Sequence, residues 1–324
     1  MILITGGAGF IGSNLQASLA QRGLETVVVD WLGTEGKWRN LARHSPARVI
    51  MPEDLDDFLA DHPPIEIVYH LGAISATTAI DGDETWQTNV ELSLKLWNWC
   101  AARGAHFIYA SSGATYGDGT QGFDDDPERL EHLSPLNLYG WTKHAFDLSV
   151  TRMVKRGERR PPQWAGLKFF NVYGPNEYHK GSMVSVIKVK HDEIAQGGPA
   201  RLFKSDVPGL ADGDQQRDFI HVDDVVNVML WLREAPHVSG IFNVGTGSAR
   251  SYRDLAHAVC DAAGKPRAIE YIDMPERLRG QYQSYTEASI ERLRAAGYNG
   301  QFTPLEEGVR RYVQDYLMQP SPYR

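Results

Sequence analysis

A glycine-rich turn directly after the first apolar segment constrains the fold of this chain more than any other feature. Residues 1–5 read MILIT, and residues 5–12 read TGGAGFIG before a helix-like stretch begins. Between a strand and a helix, glycine permits a tight turn and lets backbone N–H groups approach a pyrophosphate at the positive end of the helix. The spacing Gly6-x-x-Gly9-x-x-Gly12 therefore predicts a dinucleotide site.

Short β-rich segments alternate with helix-like segments through the first half of the chain. Near-continuous apolar strands that alternate with helices are typical of a parallel sheet covered on both faces. The expected fold is α/β, a Rossmann-type doubly wound parallel sheet with a smaller α/β substrate-binding domain. Strands are predicted over residues 1–5, 25–30, 66–73, 106–111, 166–172 and 241–245, and helices over 11–22, 85–103 and 251–263. We expect an NAD(P)-binding domain over 1–173 and a mainly substrate-binding region over 174–324, with residues of about 218–250 returning to the core.

Composition excludes several classes of protein. A net charge of -8 disfavours a nucleic-acid surface. No apolar run approaches the ~20 residues that cross a membrane, so we expect no membrane partner. The two cysteines, Cys100 and Cys260, are far apart and lack metal-like spacing, which predicts reduced thiols in the cytoplasm and no metal.

The end of the second predicted strand bears on the choice of cofactor. Asp30 lies about twenty residues beyond the turn, where a carboxylate can accept hydrogen bonds from the adenosine ribose of NAD. Lys37 and Arg39 follow closely and could meet the 2′-phosphate of NADP, or could be surface charges. The residues alone leave the choice between NADP and NAD open.

A tyrosine and a lysine four residues apart indicate proton transfer. On a helix, Tyr139 and Lys143 project from the same face. An ammonium beside a phenol favours the phenolate, so we expect Lys143 to lower the pKa of Tyr139. Hydride transfer at a carbinol carbon requires a proton to move at its oxygen, and Ser112, at a predicted strand end, can donate a hydrogen bond to that oxygen.

Together, the glycine spacing, Ser111-Ser112 and Tyr139-x-x-x-Lys143 resemble the extended short-chain dehydrogenase/reductase superfamily. Residues 171–175 (NVYGP) and 217–223 (RDFIHVD) resemble its nucleotide-sugar branch. The resemblance implies that Tyr139 is the acid/base and that Lys143 tunes it and binds the nicotinamide ribose. Dehydratases of this superfamily carry an Asp-Glu pair after the catalytic hydroxyl, whereas residues 112–116 read SGATY. Dehydration is therefore disfavoured.

A closer resemblance, over residues 171–183, 280–286 and 293–298, is to the family of ADP-heptose 6-epimerases, which supply the lipopolysaccharide inner core. It implies that bound NADP oxidises carbon 6 to a ketone, which reorients and receives hydride on its other face. The ketone oxygen then lies in a second place, where another proton donor is needed. Lys180 matches the family's second acid/base lysine, with phosphate binding as the alternative role.

The remaining site residues follow from the same resemblance. Residues expected to contact the ADP-heptose substrate are Asn171, Ser182, Phe203, Arg217 and Tyr282. Residues expected to bind the cofactor are Gly6, Gly9, Phe10, Ile11, Gly12, Asp30, Trp31, Lys37, Leu71, Gly72, Ala73, Ile74, Ser75, Asn89, Lys143 and Val172. The resemblance also implies a homo-oligomer, a pentamer.

Two other functions remain open on the sequence. One is a 4-epimerase or reductase of another nucleotide sugar, and the other is a non-catalytic nucleotide-binding sensor. Two local expectations concern structure: Asp124-Asp125-Asp126 is expected to be a solvated acidic turn, and residues 320–324 are expected to be frayed.

Overall fold

The computed structural model describes residues 1–275 and 283–324. In chain order, the strands of these ranges are β1 (Ile2–Thr5), β2 (Thr26–Val29), β3 (Arg48–Ile50), β4 (Ile67–His70), β5 (His106–Ser112), β6 (Trp164–Phe169), β7 (Asn171–Tyr173), β8 (Ala200–Phe203), β9 (Gln216–Arg217), β10 (Phe219–His221), β11 (Gly240–Val244), β12 (Arg250–Ser251) and β13 (Ile269–Ile272).

The α-helices of the same ranges lie between and after these strands. They are α1 (Phe10–Gln21), α2 (Leu55–Ala60), α3 (Gly82–Trp86), α4 (Leu92–Arg103), α5 (Leu138–Lys155), α6 (Val186–Ala195), α7 (Val222–Glu234), α8 (Tyr252–Ala262), α9 (Glu291–Ala295) and α10 (Leu305–Tyr312).

The central sheet has seven strands in the order β11-β6-β5-β4-β1-β2-β3. Every pairing in this sheet is parallel. Its strands are buried along most of their length, and two apolar clusters pack against them. A parallel sheet needs both faces covered because its side chains are apolar on both sides. The predicted fold class, a Rossmann-type doubly wound sheet, is confirmed.

The crossover from β1 to α1 explains the glycine spacing. Gly6 has a φ of +67°, and a Cβ atom there would lie 2.6 Å from the backbone nitrogen of Gly72. At Gly12, a Cβ atom would lie 2.2 Å from the carbonyl oxygen of Gly6. Both distances are shorter than real Cβ contacts, so only glycine fits at either position. The turn therefore passes close to the loop after β4, and α1 begins immediately behind it.

The predicted strand over residues 166–172 is in fact two strands. β6 ends at Phe169, and β7 begins at Asn171 and pairs with β10 instead of the central sheet. Between them, Phe170 donates its backbone N–H to Val244 of β11 at 3.1 Å. This change of sheet turns Asn171 away from the core, so that its side chain is exposed.

The second half of the chain adds a smaller layer with its own apolar core. Its two-stranded sheets are β10-β7, β12-β9 and β13-β8, and helices α6, α8 and α10 enclose a third apolar cluster. α8 begins with a capping box, in which Ser251 and Asp254 satisfy each other's backbone N–H groups.

Two local expectations are wrong. Asp125 is fully buried, accepts a hydrogen bond from the backbone of Asn243 at 2.6 Å and lies 3.5 Å from Arg292. Burial raises the pKa of Asp125 to about 6. The C-terminal residues are also fixed: Tyr178 donates to the carbonyl of Pro322, and Arg324 pairs with Asp223. Long-range partners, invisible in the local sequence, hold both segments.

Within the ranges 1–275 and 283–324, no helix has the length and apolar character needed to cross a membrane.

Candidate active site

A cleft of about 480 Å³ lies where the central sheet meets the smaller layer. It collects side chains from the end of β5, the start of α5, β7 and the turn before α6. Eight residues predicted to be functional line this cleft, namely Ser75, Ser112, Tyr139, Asn171, Val172, Lys180, Ser182 and Arg217. The chain thus brings together groups that are more than a hundred residues apart in sequence.

Tyr139 lies in the first turn of α5, whose start is fixed by Asn137. The Asn137 side chain accepts a hydrogen bond from the backbone N–H of Gly140 at 2.8 Å. Burial raises the pKa of Tyr139, and a hydrogen bond with the Ser112 side chain opposes that rise. The expectation that Tyr139 has a lowered pKa is therefore wrong. Desolvation outweighs the favourable polar contacts.

Lys143 is one helical turn beyond Tyr139 and is 3% exposed. Burial lowers its pKa to about 8, while the charge of Asp147 raises it. His70 faces Lys143 from β4; burial, and then the Lys143 charge, lower the pKa of His70 to about 3. His70 is therefore neutral at cellular pH, and its ring nitrogens are hydrogen-bonded to Thr5 at 2.7 Å and to Ser93 at 2.8 Å.

A buried ion pair behind the tyrosine and lysine was not predicted. The Nζ of Lys168 lies 2.8 Å from the carboxylate of Asp147, and both side chains have 0% exposure. The same carboxylate accepts hydrogen bonds from Tyr109 at 2.9 Å and from Ser111 at 2.6 Å. The available signal was the spacing of Asp147 four residues after Lys143, together with a lysine inside an apolar strand.

Lys180 lies in a turn of 3₁₀ helix, Tyr178–Met183, that precedes α6. Burial lowers the pKa of Lys180, and the charge of Glu177 raises it. Glu177 is itself fully buried and accepts hydrogen bonds from Ser185 and Tyr312. The turn is consequently fastened to both α6 and α10.

The residues predicted to bind the substrate are distributed unevenly. Asn171, Ser182 and Arg217 line the cleft. Arg217 is 5% exposed and donates to the backbone carbonyls of Gln216 and Gln283. Phe203 ends β8 and is not among the residues that line the cleft. Tyr282 lies outside the described residues.

The glycine turn forms a cradle for a dinucleotide. Gly9 precedes α1 in an extended conformation. Among the residues that the structure describes, no side chain caps the N-terminus of this helix. A helix N-terminus of this kind stabilises an anionic group. Phe10 and Ile11 open the helix, and the lack of a Cβ atom at Gly6 and Gly12 lets the turn pack tightly against the backbone of Gly72 and against itself. These residues fit a pyrophosphate.

Asp30 is already engaged at this end of the sheet. Its carboxylate accepts a hydrogen bond from the backbone of Ala8 at 2.9 Å and pairs with Lys37 at 2.5 Å. The acid thus stabilises the glycine turn and holds Lys37 beside it. Trp31, next in sequence, is 49% exposed and donates to Glu53 at 2.8 Å.

The loop after β4 forms the opposite wall of the cradle and consists of residues 71–75, which are Leu71, Gly72, Ala73, Ile74 and Ser75. Asn89 supports it from a π-helical turn between α3 and α4, accepting from the backbone of Ile74 at 2.9 Å and donating to its carbonyl at 3.0 Å. Asn89 also donates to Thr142 of α5 at 3.0 Å. It therefore joins this loop to the helix that carries Tyr139. Val172, predicted to contact the cofactor, lies in β7 at the cleft.

Comparison with known proteins extends over the whole chain. An ADP-L-glycero-D-manno-heptose-6-epimerase of Nitratidesulfovibrio vulgaris (strain DP4) is 49% identical over 327 residues, which cover 100% of both chains. A protein of the same name from Fusobacterium nucleatum is 44% identical, again over 100% of both chains.

Solved structures agree in fold. The ADP-L-glycero-D-manno-heptose-6-epimerase of Helicobacter pylori has a TM-score of 0.79 and 28% identity, and the match covers 97% of this chain and 95% of that one. The UDP-glucose 4-epimerase of Thermus thermophilus, solved with NAD, has a TM-score of 0.73 and 27% identity, with 95% and 96% covered. Residues 2–245 match the model of the NAD dependent epimerase/dehydratase family. With its dinucleotide cradle and its Ser112, Tyr139 and Lys143, the chain belongs to the NAD dependent epimerase/dehydratase family.

Proposed function

We propose that the protein is an ADP-L-glycero-D-manno-heptose 6-epimerase, an isomerase that interconverts the D-glycero and L-glycero forms of an ADP-heptose. The observation that carries the proposal is the presence of Tyr139 and Lys180 on the walls of one cleft. Inversion by oxidation and re-reduction needs proton transfer at two positions of the same oxygen. Relatives of this name that match over the full length support the choice of substrate.

The cradle residues Gly6, Gly9 and Gly12 would hold the pyrophosphate of a nicotinamide cofactor, which supplies a reversible acceptor of hydride when bound. Tyr139 exchanges a proton with the oxygen on carbon 6. Ser112 donates a hydrogen bond to that oxygen and, through its contact with Tyr139, keeps the phenol in place. Lys143 supplies the positive charge that favours the phenolate when the proton leaves.

Lys180 acts on the reoriented ketone. A lysine serves as an acid/base near neutral pH only when its pKa is lowered, and burial does this at Lys180. Asn171 and Ser182, exposed on the same cleft, hold the heptose. Arg217, which also lines the cleft, would bind the ADP pyrophosphate, for which its planar guanidinium is suited.

NADP is the proposed cofactor. Asp30 already accepts from Ala8 and Lys37, so its capacity to accept from a ribose hydroxyl is partly used. Lys37 and Arg39 lie in one short 3₁₀ turn at this edge, where two cations suit a 2′-phosphate.

The proposed assembly is a homo-oligomer, a pentamer, in the cytoplasm. The family resemblance supports the assembly, and two buried free thiols, Cys100 and Cys260, support a reducing compartment. Sedimentation velocity of the purified protein measures the number of subunits directly.

The activity is tested by incubating purified protein with ADP-D-glycero-heptose and reading the configuration of carbon 6 by NMR. We expect inversion with no net change in bound cofactor, and loss of inversion in Tyr139→Phe. Activity on a UDP-hexose with none on the ADP-heptose would replace this proposal with a 4-epimerase.

A further inference from the structure

The ion pair of Lys168 and Asp147 connects the two elements that carry the predicted acid/base residues. Asp147 lies on α5, two turns after Tyr139 and one turn after Lys143, on the same helical face. Lys168 lies in β6, an interior strand of the sheet between β11 and β5. With 0% exposure on both sides, neither charge has water as an alternative partner.

The pair also reaches Ser112. The Nζ of Lys168 donates to the hydroxyl of Thr115 at 2.6 Å, and Thr115 donates to the backbone carbonyl of Ser112 at 2.8 Å. On the other side, Ser111, next to Ser112, donates to Asp147 at 2.6 Å. Ser112 is therefore held through both Ser111 and Thr115, each of which is hydrogen-bonded to one member of this ion pair.

We propose that Lys168 is a positioning residue for the epimerase reaction. With Asp147, it fixes Ser112 relative to Tyr139. Its ammonium also partly neutralises the Asp147 carboxylate, which would otherwise act on Lys143 alone. The expected effect of Lys168 on turnover rests on the proposed function. The expected effect of Lys168 on Lys143 does not depend on any substrate.

Partial neutralisation of Asp147 affects the position of the Lys143 ammonium. The ammonium must stay close to the tyrosine, yet a full negative charge one turn away attracts it along the helix in the opposite direction. Lys168 partly neutralises Asp147 at 2.8 Å and opposes that attraction. Without Lys168, Asp147 would favour the ammonium of Lys143 more strongly and draw it away from Tyr139.

Other titratable groups face this pair, and the test must separate their contributions. The groups that interact with the charge of Asp147 or Lys168 are Tyr109, Tyr116, Tyr139, Lys143 and His144, and the groups that interact with these in turn are His70, Asp124, Asp125 and Arg152. Burial raises the pKa of Tyr109 and Tyr116 and lowers the pKa of His70 and His144. These four groups are therefore neutral near pH 8, where Lys143 titrates.

The direct test is the titration of Lys143 in the protein with no substrate added, followed by NMR of lysine labelled with ¹³C at Cε. The Lys143 signal is assigned from its loss in Lys143→Met. In Lys168→Met we expect the pKa of Lys143 to rise from about 8 by roughly one unit, and in Asp147→Asn to fall. Lys168→Arg, which keeps the charge, should restore the original titration.

Turnover provides the second readout. We expect Lys168→Met to lower kcat roughly tenfold with KM nearly unchanged and to move the alkaline limb of the pH profile upward. Lys190→Met is a matched control, since Lys190 is also a buried lysine in an ion pair, with Glu193 at 2.9 Å. That variant should change neither the Lys143 titration nor the pH profile.

An unchanged Lys143 titration in folded Lys168→Met would overturn the inference, even if stability were lost, because it would leave the pair a structural role only. If Lys168→Met does not fold, Asp147→Asn tests the charge and Thr115→Val tests the placement of Ser112. A kcat of Thr115→Val within twofold of the wild type would then count against the inference. Absence of epimerisation by the wild type would overturn the proposed function and leave the titration to decide the inference.

Discussion

The Nζ of Lys180 lies 5.4 Å from the centroid of the Phe10 ring. Phe10 is the first residue of α1, directly behind the glycine turn. An ammonium over an aromatic face is stabilised by the electrons of the ring, so this contact holds the lysine toward the dinucleotide cradle. The proposed second acid/base group and the cofactor cradle are thus physically joined, although they are far apart in sequence.

Lys180→Met is expected to lower the rate of epimerisation roughly 100-fold or more, because it removes one of two proton-transfer groups. Binding of NADP, measured by titration calorimetry, should be retained. Lys188→Met is the control, since Lys188 lies on α6, eight residues after Lys180, and its ammonium pairs with Asp192 at 2.5 Å. Near-normal turnover of Lys180→Met would reduce Lys180 to a binding role.

Glu177→Gln is expected to act on Lys180 through charge. The Glu177 carboxylate raises the pKa of Lys180, so its removal should lower that pKa further. In the half-reaction in which Lys180 donates a proton, activity is lost as pH rises through this pKa. The alkaline limb of the pH profile should therefore move down by roughly half to one unit. Glu193→Gln, an acid on α6 paired with Lys190, should leave the limb in place.

Lys37→Met is expected to change the preference for cofactor. It removes a cation from the edge proposed for the 2′-phosphate and frees one oxygen of Asp30 for a ribose hydroxyl. Affinity for NADP should fall roughly tenfold and affinity for NAD should rise, as measured by fluorescence titration with each nucleotide. Equal losses for both cofactors would show that Lys37 supports the turn and not the phosphate.

Local signals in the sequence predict most of the central sheet and the start of the site. The helix predicted over 11–22 is α1, Phe10–Gln21, and the strand predicted over 241–245 is β11, Gly240–Val244. These elements are specified by apolar periodicity and by glycines whose freedom the turn requires. Element ends differ by one to three residues because helix and strand termini fray into turns.

The sequence does not predict the partners that are distant along the chain. Lys168 stands among apolar residues of β6, and only the folded sheet brings it to Asp147 on α5. Arg324 is fixed by Asn14 and Asp223, which no local pattern connects to the C-terminus. The raised pKa of Tyr139 was missed for the same reason, since the degree of burial is a property of the tertiary structure.

Asp125 provides a prediction about stability that requires no ligand. Its pKa is about 6 in the folded chain, against an ordinary value of 3.8. Between these two pH values, the folded state binds more protons than the unfolded state. The contribution of Asp125 to the free energy of unfolding therefore falls as pH rises from about 4 to about 6. A difference of about two units corresponds to about 3 kcal/mol. Asp125 has 0% exposure, so solvent screens this contribution little.

Asp125→Asn cannot titrate and should lack this dependence. The free energy of unfolding of the variant minus that of the wild type, from urea denaturation at successive pH values, should rise by roughly 2 kcal/mol between pH 4 and pH 7, since part of the full effect lies below pH 4. Asp124→Asn makes the same chemical change on a neighbouring side chain that is 43% exposed, and its difference should stay nearly constant. If the Asp125→Asn difference were equally flat, the Arg292 guanidinium at 3.5 Å would have to offset the burial of the carboxylate completely.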